Sequence, residues 1–210
     1  MYKKKPFFVV FEGIEGSGKS YHCKALYRKL INLKIRTIIT REPGGSKNCE
    51  QIRKFILSGK KNKFNANTDT LLYLADRSEH IQKIIIPSLK KKKVLLCDRF
   101  IDSTYAYQVQ GYNVNKNLVD SIHENILSKV KPNLTFLLTV NINESIKRIK
   151  KRGSLNRYDK LSKDFYNKVQ KKFINLANKN KKKYVIIDTS KNIKFVESAI
   201  YNKFISFYKK

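Results

Sequence analysis

The hydrophobic pattern along this chain changes period at regular intervals. Residues 6–12 (Pro-Phe-Phe-Val-Val-Phe-Glu) are a short apolar run rich in β-branched and aromatic side chains, which predicts a buried strand. Over residues 21–33, Ala25, Leu26, Leu30 and Leu33 recur at helical spacing, so an amphipathic helix follows. The alternation then repeats. Residues 35–40, 93–98, 134–140 and 184–188 read as strands, and residues 49–57, 68–89, 117–130, 143–152, 161–178 and 193–208 as helices. Between them lie a polar, lysine-rich loop at 59–67 and a polar, aromatic loop at 99–108. Strands alternating with helices predict an α/β fold with a five-stranded parallel sheet and helices on both faces. There is no internal repeat or proline-rich linker, so one domain covering residues 1–210 is expected.

The first strand runs into Gly13-Ile14-Glu15-Gly16-Ser17-Gly18-Lys19-Ser20, a complete G-x-x-x-x-G-K-[ST] phosphate-binding loop (P-loop). The glycines let successive backbone N–H groups converge on one anion, and the following helix adds the positive end of its dipole. Lys19 is then placed to reach the β- and γ-phosphates, and the Ser20 hydroxyl to ligate Mg²⁺. An accidental glycine turn is the competing explanation, and the strand–loop–helix setting argues against it. Such a loop establishes a P-loop NTPase and is silent on what the nucleotide is for.

Composition bounds the alternatives. Hydrophobic residues at 41% and charged residues at 30% are those of a soluble protein, but Lys+Arg 46 against Asp+Glu 16 gives a net charge of +30. Two readings are open: a nucleic-acid or membrane surface, or lysine spread generally over the exterior. The lysines fall in short runs throughout (3–5, 90–93, 181–183, 209–210) and no nucleic-acid-binding motif accompanies them. The second reading is therefore favoured, with nonspecific polyanion binding expected at low salt. No apolar run approaches the ~20 residues that span a bilayer. Cys23, Cys49 and Cys97, and His22, His80 and His123, are scattered without metal-ligand spacing and read as ordinary core or surface residues. With a core strand starting within a few residues of Met1, a reducing, cytoplasmic setting is expected.

The remaining candidate chemistry lies at strand ends. Asp98 closes an apolar strand, a position suited to holding Mg²⁺ or its waters, although an Asp there also caps turns. Arg41, Arg53, Arg77 and Arg99 sit at strand ends or on neighbouring helices, and guanidinium forks grip phosphate bidentately as lysine cannot. Arg148, Lys150, Lys151, Arg152 and Arg157 surround Gly153, which suggests a cationic lid over about residues 148–160; a solvated lysine-rich helix end is the alternative. Two anion sites under a cationic lid describe phosphoryl transfer between phosphates, with Arg148, Arg152 and Arg157 as candidate catalytic groups beside Lys19 and Arg99. A basic nucleic-acid-binding module that uses a nucleotide as a switch is the alternative of a different class.

Four stretches together resemble the thymidylate kinases: 11–20 (the P-loop), Thr40-Arg41-Glu42-Pro43-Gly44-Gly45, Asp76-Arg77-Ser78-Glu79-His80, and Asp98-Arg99-Phe100-Ile101-Asp102-Ser103-Thr104-Tyr105-Ala106-Tyr107-Gln108. The resemblance implies a nucleoside monophosphate kinase-like fold with a lid, phosphorylating dTMP to dTDP with ATP and Mg²⁺, and a homodimer. It implies that Glu15 sits near the sugar 3′-hydroxyl and that Arg41 and Arg99 hold the acceptor phosphate, with Arg53 close by. Tyr73 would stack on thymine, Leu57 would face the base from its apolar side, and Arg77 would donate to a thymine carbonyl. Ser103, Thr104 and Gln108 would line the base, and Tyr107 would close against the sugar where a ribonucleotide carries its 2′-hydroxyl. Spacing alone leaves other readings for these residues: Tyr73 and Tyr107 as core, Arg77 as a surface ion pair with Asp76 or Glu79. The P-loop has no arginine while the lid segment has three, as in the bacterial-type members. Phe100, Tyr73 and Asn156 depart from the residues common in the family. Another (deoxy)nucleoside monophosphate or deoxynucleoside kinase is the alternative within enzymes.

Overall fold

The computed structural model describes residues 5–60, 63–153, 156–159 and 161–209. Parts of the expected loop at 59–67, of the expected lid at 148–160 and of the two terminal lysine runs lie outside these residues. Five parallel strands, β1 (Phe7–Glu12), β2 (Thr37–Arg41), β3 (Val94–Asp98), β4 (Leu134–Thr139) and β5 (Tyr184–Asp188), form one sheet in the order β2-β3-β1-β4-β5. β1 is central and buried along its whole length, because alternate side chains pack on opposite faces of the sheet. Phe7, Val9 and Phe11 point to one face, where α1 (Lys19–Asn32) contributes Cys23, Leu26 and Leu30, and α9 (Ile193–Tyr208) contributes Val196, Ile200 and Phe204. Phe8 and Val10 point to the other and pack with Leu95, Cys97, Phe100, Ile81 and Ile85. A further cluster under α7 (Ile142–Lys151) and α8 (Lys163–Lys179) joins Ile14, Leu137, Tyr107, Tyr166 and Phe173 beneath the phosphate loop.

Three predicted elements differ from the structure. The long helix expected over 68–89 is helical but not uniform: α3 (Ala66–His80) passes through a π-helical turn (Ile81–Ile85) into α4 (Ile86–Lys90). Pro87 carries no N–H and its ring would clash with the carbonyl four residues earlier, so a widened turn at this point relieves both problems. The helix expected over 117–130 stops sooner. α6 (Lys116–Ile126) ends ahead of Ser128 and Lys129, whose φ angles of 47° and 63° cannot continue a right-handed helix. The expected loop at 99–108 is instead mostly helical, with α5 (Ile101–Thr104) followed by a π-helical segment (Tyr105–Gly111). Its inward side chains include Asp102, Thr104 and Gln108, so the buried face is polar and hides the helical period. α2 (Lys47–Leu57) begins at Ser46, whose side chain accepts from the Cys49 N–H.

Candidate active site

The carboxyl ends of β1, β2 and β3 meet at one rim of the sheet, the edge at which open parallel sheets bind ligands. A cleft of about 300 Å³ opens there. The P-loop forms one end. Gly13 and Gly16 have φ angles of 142° and 69°, and a Cβ on either would fall 2.3 Å from the Leu138 carbonyl oxygen or 2.5 Å from that of Ser145. Only glycine brings the backbone that close. Gly18 opens α1 without a side-chain cap, which leaves first-turn N–H groups for an anion. The Ser145 hydroxyl donates to the Glu15 carbonyl at 2.7 Å, tying the start of α7 to the loop.

Lys19 is only 6% exposed and donates to the Ile14 carbonyl at 2.6 Å. Burial, reinforced by the neighbouring Arg99, pushes its ammonium down to about 8. The Ser20 hydroxyl donates to Asp98 Oδ2, so the two residues expected at the metal stand together at the cleft. Two hard oxygen donors beside an anion loop fit Mg²⁺, which keeps several waters and takes its other ligands from phosphates. No cluster of three or more His, Cys, Asp or Glu suited to a metal occurs among the described residues.

The expected acceptor residues line the same cleft. Arg99 has a left-handed backbone (φ 74°), which turns its guanidinium back under the P-loop. It donates to the Gly13 carbonyl at 3.1 Å, Ser103 Oγ at 3.0 Å and Glu15 Oε1 at 2.8 Å. Tyr107 hydroxyl donates to the other Glu15 oxygen, while its ring packs against Phe165 and Phe173. Tyr107 is thus a core residue by its ring and a site residue by its hydroxyl. Arg41, half exposed, pairs with Glu50 at 2.8 Å, and Arg53 donates to the Pro43 carbonyl at 2.7 Å; both line the cleft. So do Leu57, Tyr73, Ser103, Thr104 and Gln108.

The surface ion pair that spacing left open for Arg77 does not form. Arg77 is 2% exposed and pairs with Glu42 at 2.8 Å, not with Asp76 or Glu79. Its remaining bonds run to Thr104 Oγ1, His123 Nε2 and the Phe100 carbonyl at 2.7–2.9 Å. Most of its donor capacity is therefore spent inside the protein, although it borders the cleft. Burial opposes the Glu42 charge, but Arg77 and His80 together hold its carboxyl below the ordinary range. His80, fully buried, bridges Glu42 Oε1 and Thr40 Oγ1 at 2.9 and 2.7 Å. Burial and Arg77 push His123 down to about 3, so it is neutral and accepts from Arg77. Asp76 accepts the Gly44 N–H at 3.0 Å, and burial beside Glu42 raises it to about 7.

The sequence marks His80 and His123 as ordinary residues and, although Glu12, Glu42 and Asp76 fall within the motifs quoted above, it assigns them no part in the site. Glu12 accepts from the Phe100 and Ser103 N–H groups and the Ser103 hydroxyl, which fixes the turn carrying Arg99. Burial and nearby Asp102 raise its pKa. A carboxylate ending a wholly buried strand was the available signal.

The three arginines expected on the lid do not behave alike, and of them only Arg152 lines the cleft. Arg148 pairs with Glu144, bonds the Thr189 carbonyl at 2.9 Å and approaches the Gly16 carbonyl at 3.4 Å. Arg152 lines the cleft and pairs with Asp159, while Lys150 and Lys151 are exposed. Arg157, expected among the catalytic arginines, is absent from the cleft lining: it is buried against α3, paired there with Asp69. Asp69 is an acid on the inward face of α3, and the buried guanidinium goes to it because an unpaired buried charge is costly.

A family model described as thymidylate kinase matches residues 11–200. The chain is 38% identical over 200 residues to the thymidylate kinase of Mycoplasma capricolum, covering 94% of this chain and 92% of that one. It is 39% identical over 196 residues to the thymidylate kinase of Acholeplasma laidlawii, covering 92% and 96%. Among solved structures, thymidylate kinase from Ehrlichia chaffeensis superposes with a TM-score of 0.76 at 30% identity, over 95% of this chain and 99% of that chain. The strand order, the P-loop and these full-length matches agree, and the chain belongs to the thymidylate kinase family.

Proposed function

We propose that this chain transfers the γ-phosphoryl group of ATP to the 5′-phosphate of dTMP, giving dTDP and ADP. The observation that carries the reading is a single cleft lined both by the P-loop with Lys19 and by Arg41, Arg53, Arg99 and Tyr73. An acceptor phosphate oxygen attacks the γ-phosphorus, and the bond to the β–γ bridging oxygen breaks. The acceptor's second pKa is ~6, so it needs no general base. None of the three histidines lines the cleft, in keeping with this. The residues' task is electrostatic: Lys19 and the loop N–H groups orient the donor, Arg41, Arg53 and Arg99 hold the acceptor, and Arg148 and Arg152 add charge from the lid.

Mg²⁺ would be held by Ser20 and Asp98, where it would supply positive charge to offset that of the donor phosphates. Glu15, shared between Arg99 and Tyr107, would accept the sugar 3′-hydroxyl, with the Tyr107 ring beside the 2′ position. Tyr73 and Leu57 offer the base an aromatic and an aliphatic face. Of Arg77, one guanidinium hydrogen beyond the bonds above remains for a thymine carbonyl.

The same proposal includes one domain over residues 1–210 with a lid at about 148–160. It includes a homodimer, for which the exposed Leu71 on α3 offers an apolar contact. Cytoplasmic residence is supported by three free, buried cysteines, and among the described residues no helix is long and apolar enough to cross a membrane.

Turnover with dTMP, dUMP, dCMP, dGMP, UMP and thymidine, each with MgATP, tests the reading. dTMP is expected to be the best acceptor; a purine nucleotide or a nucleoside in that place rejects the assignment. Lys19 supplies a pH signature. Its pKa of about 8 in the free protein must rise when phosphates surround it, so binding above pH 8 takes up a proton. Affinity for a non-hydrolysable ATP analogue is expected to fall by up to about tenfold per pH unit above 8. Calorimetry at pH 9 in buffers of different protonation enthalpy measures the uptake; flat affinity between pH 7 and 9.5 contradicts it.

A further inference from the structure

Arg157 sits in surroundings unlike those of an arginine that reaches over a phosphate. Its Nε donates to the Ile56 carbonyl, and its Nη2 donates to Asp69 Oδ1 and, at 2.7 Å, to the Tyr158 hydroxyl. That hydroxyl donates onward to Asp69 Oδ2, so a single carboxylate on α3 takes both residues. The guanidinium carbon lies 4.6 Å from the centre of the Tyr158 ring and 5.5 Å from that of Phe64. The Tyr158 carbonyl accepts from the Tyr166 hydroxyl on α8 at 3.0 Å. Tyr158 is thereby fixed through both its backbone and its side-chain tip. Its ring lines the cleft 6.1 Å from the Tyr73 ring, and Leu57, next to the Ile56 carbonyl, lines the same wall.

We propose that Arg157 is a positioning residue: with Asp69 it clasps Tyr158 against Tyr73 as the outer aromatic wall of the pocket for the acceptor's base. Arg157 then acts on binding of the acceptor nucleotide and leaves the transferred phosphoryl group to other cations. The clasp also sets Leu57, because Ile56 is the residue at which the guanidinium holds the end of α2. An arginine suits this place because its planar fork meets a carboxylate, a carbonyl and a phenol at once, which a lysine cannot do. The inference rests on dTMP being the acceptor.

Steady-state kinetics on the full chain, with dTMP varied at saturating ATP and the reverse, separates the two roles. Arg157→Ala is expected to raise the dTMP KM on the order of tenfold while kcat stays within about threefold, the loss of charge-assisted bonds that hold a wall and not a transition state. Asp69→Ala is expected to do the same, and the double variant to be no worse than either single, since the partners form one unit. A loss of kcat of about 100-fold or more at unchanged dTMP KM in Arg157→Ala would show a catalytic arginine and overturn the clasp. So would an Asp69→Ala variant that binds dTMP normally. Should either alanine variant fail to fold, Arg157→Lys carries the test. Its ammonium keeps the pairing with Asp69 and loses the reach to Ile56, so the dTMP KM is again expected to rise with kcat held, and the opposite pattern overturns the proposal. Wild-type protein inactive on dTMP would reject the functional reading itself, which a kcat-type defect in the variant does not.

Discussion

Lys19→Ala is expected to lower turnover on the order of 10³-fold while changing dTMP affinity by less than about threefold. Lys19 is the P-loop cation proposed to reach the donor phosphates, and no other lysine lines the cleft among the described residues. In the free protein its ammonium is nearly enclosed and bonded to the Ile14 carbonyl, with its pKa pushed down to about 8. Burial thus works against the charge, so deleting the side chain removes a strained group, and the variant is expected to melt at or above the wild-type temperature. Loss of activity with retained melting and retained dTMP binding by calorimetry would assign Lys19 to the donor end. Parallel losses of rate and of dTMP affinity would refute that division.

The second large effect concerns Arg99. Removing it strips a guanidinium from the Gly13 carbonyl, Ser103 and Glu15 together, and leaves the Glu15 carboxylate with Tyr107 as its other bond. Hydrogen bonds to a charged group are worth about 1.5–3 kcal/mol, so Arg99→Ala is expected to raise the dTMP KM by roughly 10–100-fold. The ATP KM should move by less than about threefold, since the donor loop keeps its own N–H groups and Lys19. Arg99→Lys should recover only part of the loss, because a point charge cannot span three acceptors. An unchanged dTMP KM in the alanine variant would remove Arg99 from the acceptor site.

How much of this was legible in the chain depends on which periodicities survive folding. β1 and β4 announce themselves because both of their faces meet apolar partners, and predicted strand limits fall within a residue or two of those observed. The P-loop is local in sequence and was readable outright. The segment after β3 was not, because α5 and the π-helical turn bury Asp102, Thr104 and Gln108 where a helix normally buries leucine. The polar network fails to show for a different reason. Arg77 meets Glu42 across 35 residues and His123 across 46, and Arg157 meets Asp69 across 88; each is a single residue whose meaning exists only after folding. Local cues were present nonetheless: Glu12 is an acid ending an apolar strand, Glu42 directly follows β2, and Asp69 interrupts the inward face of α3. Arg157 misled because a basic cluster beside a glycine looks like a lid whichever way its side chains turn.

The position of β1 in the middle of the sheet has a mechanical meaning. It is bonded to β3 on one edge and β4 on the other, and every one of its residues is buried. The loop proposed to grip the donor therefore springs from a buried strand paired on both edges, with α7 fastened to it by Ser145. Closure of the cleft on its two substrates is therefore expected to fall to the outlying pieces, as in a vice with one fixed jaw.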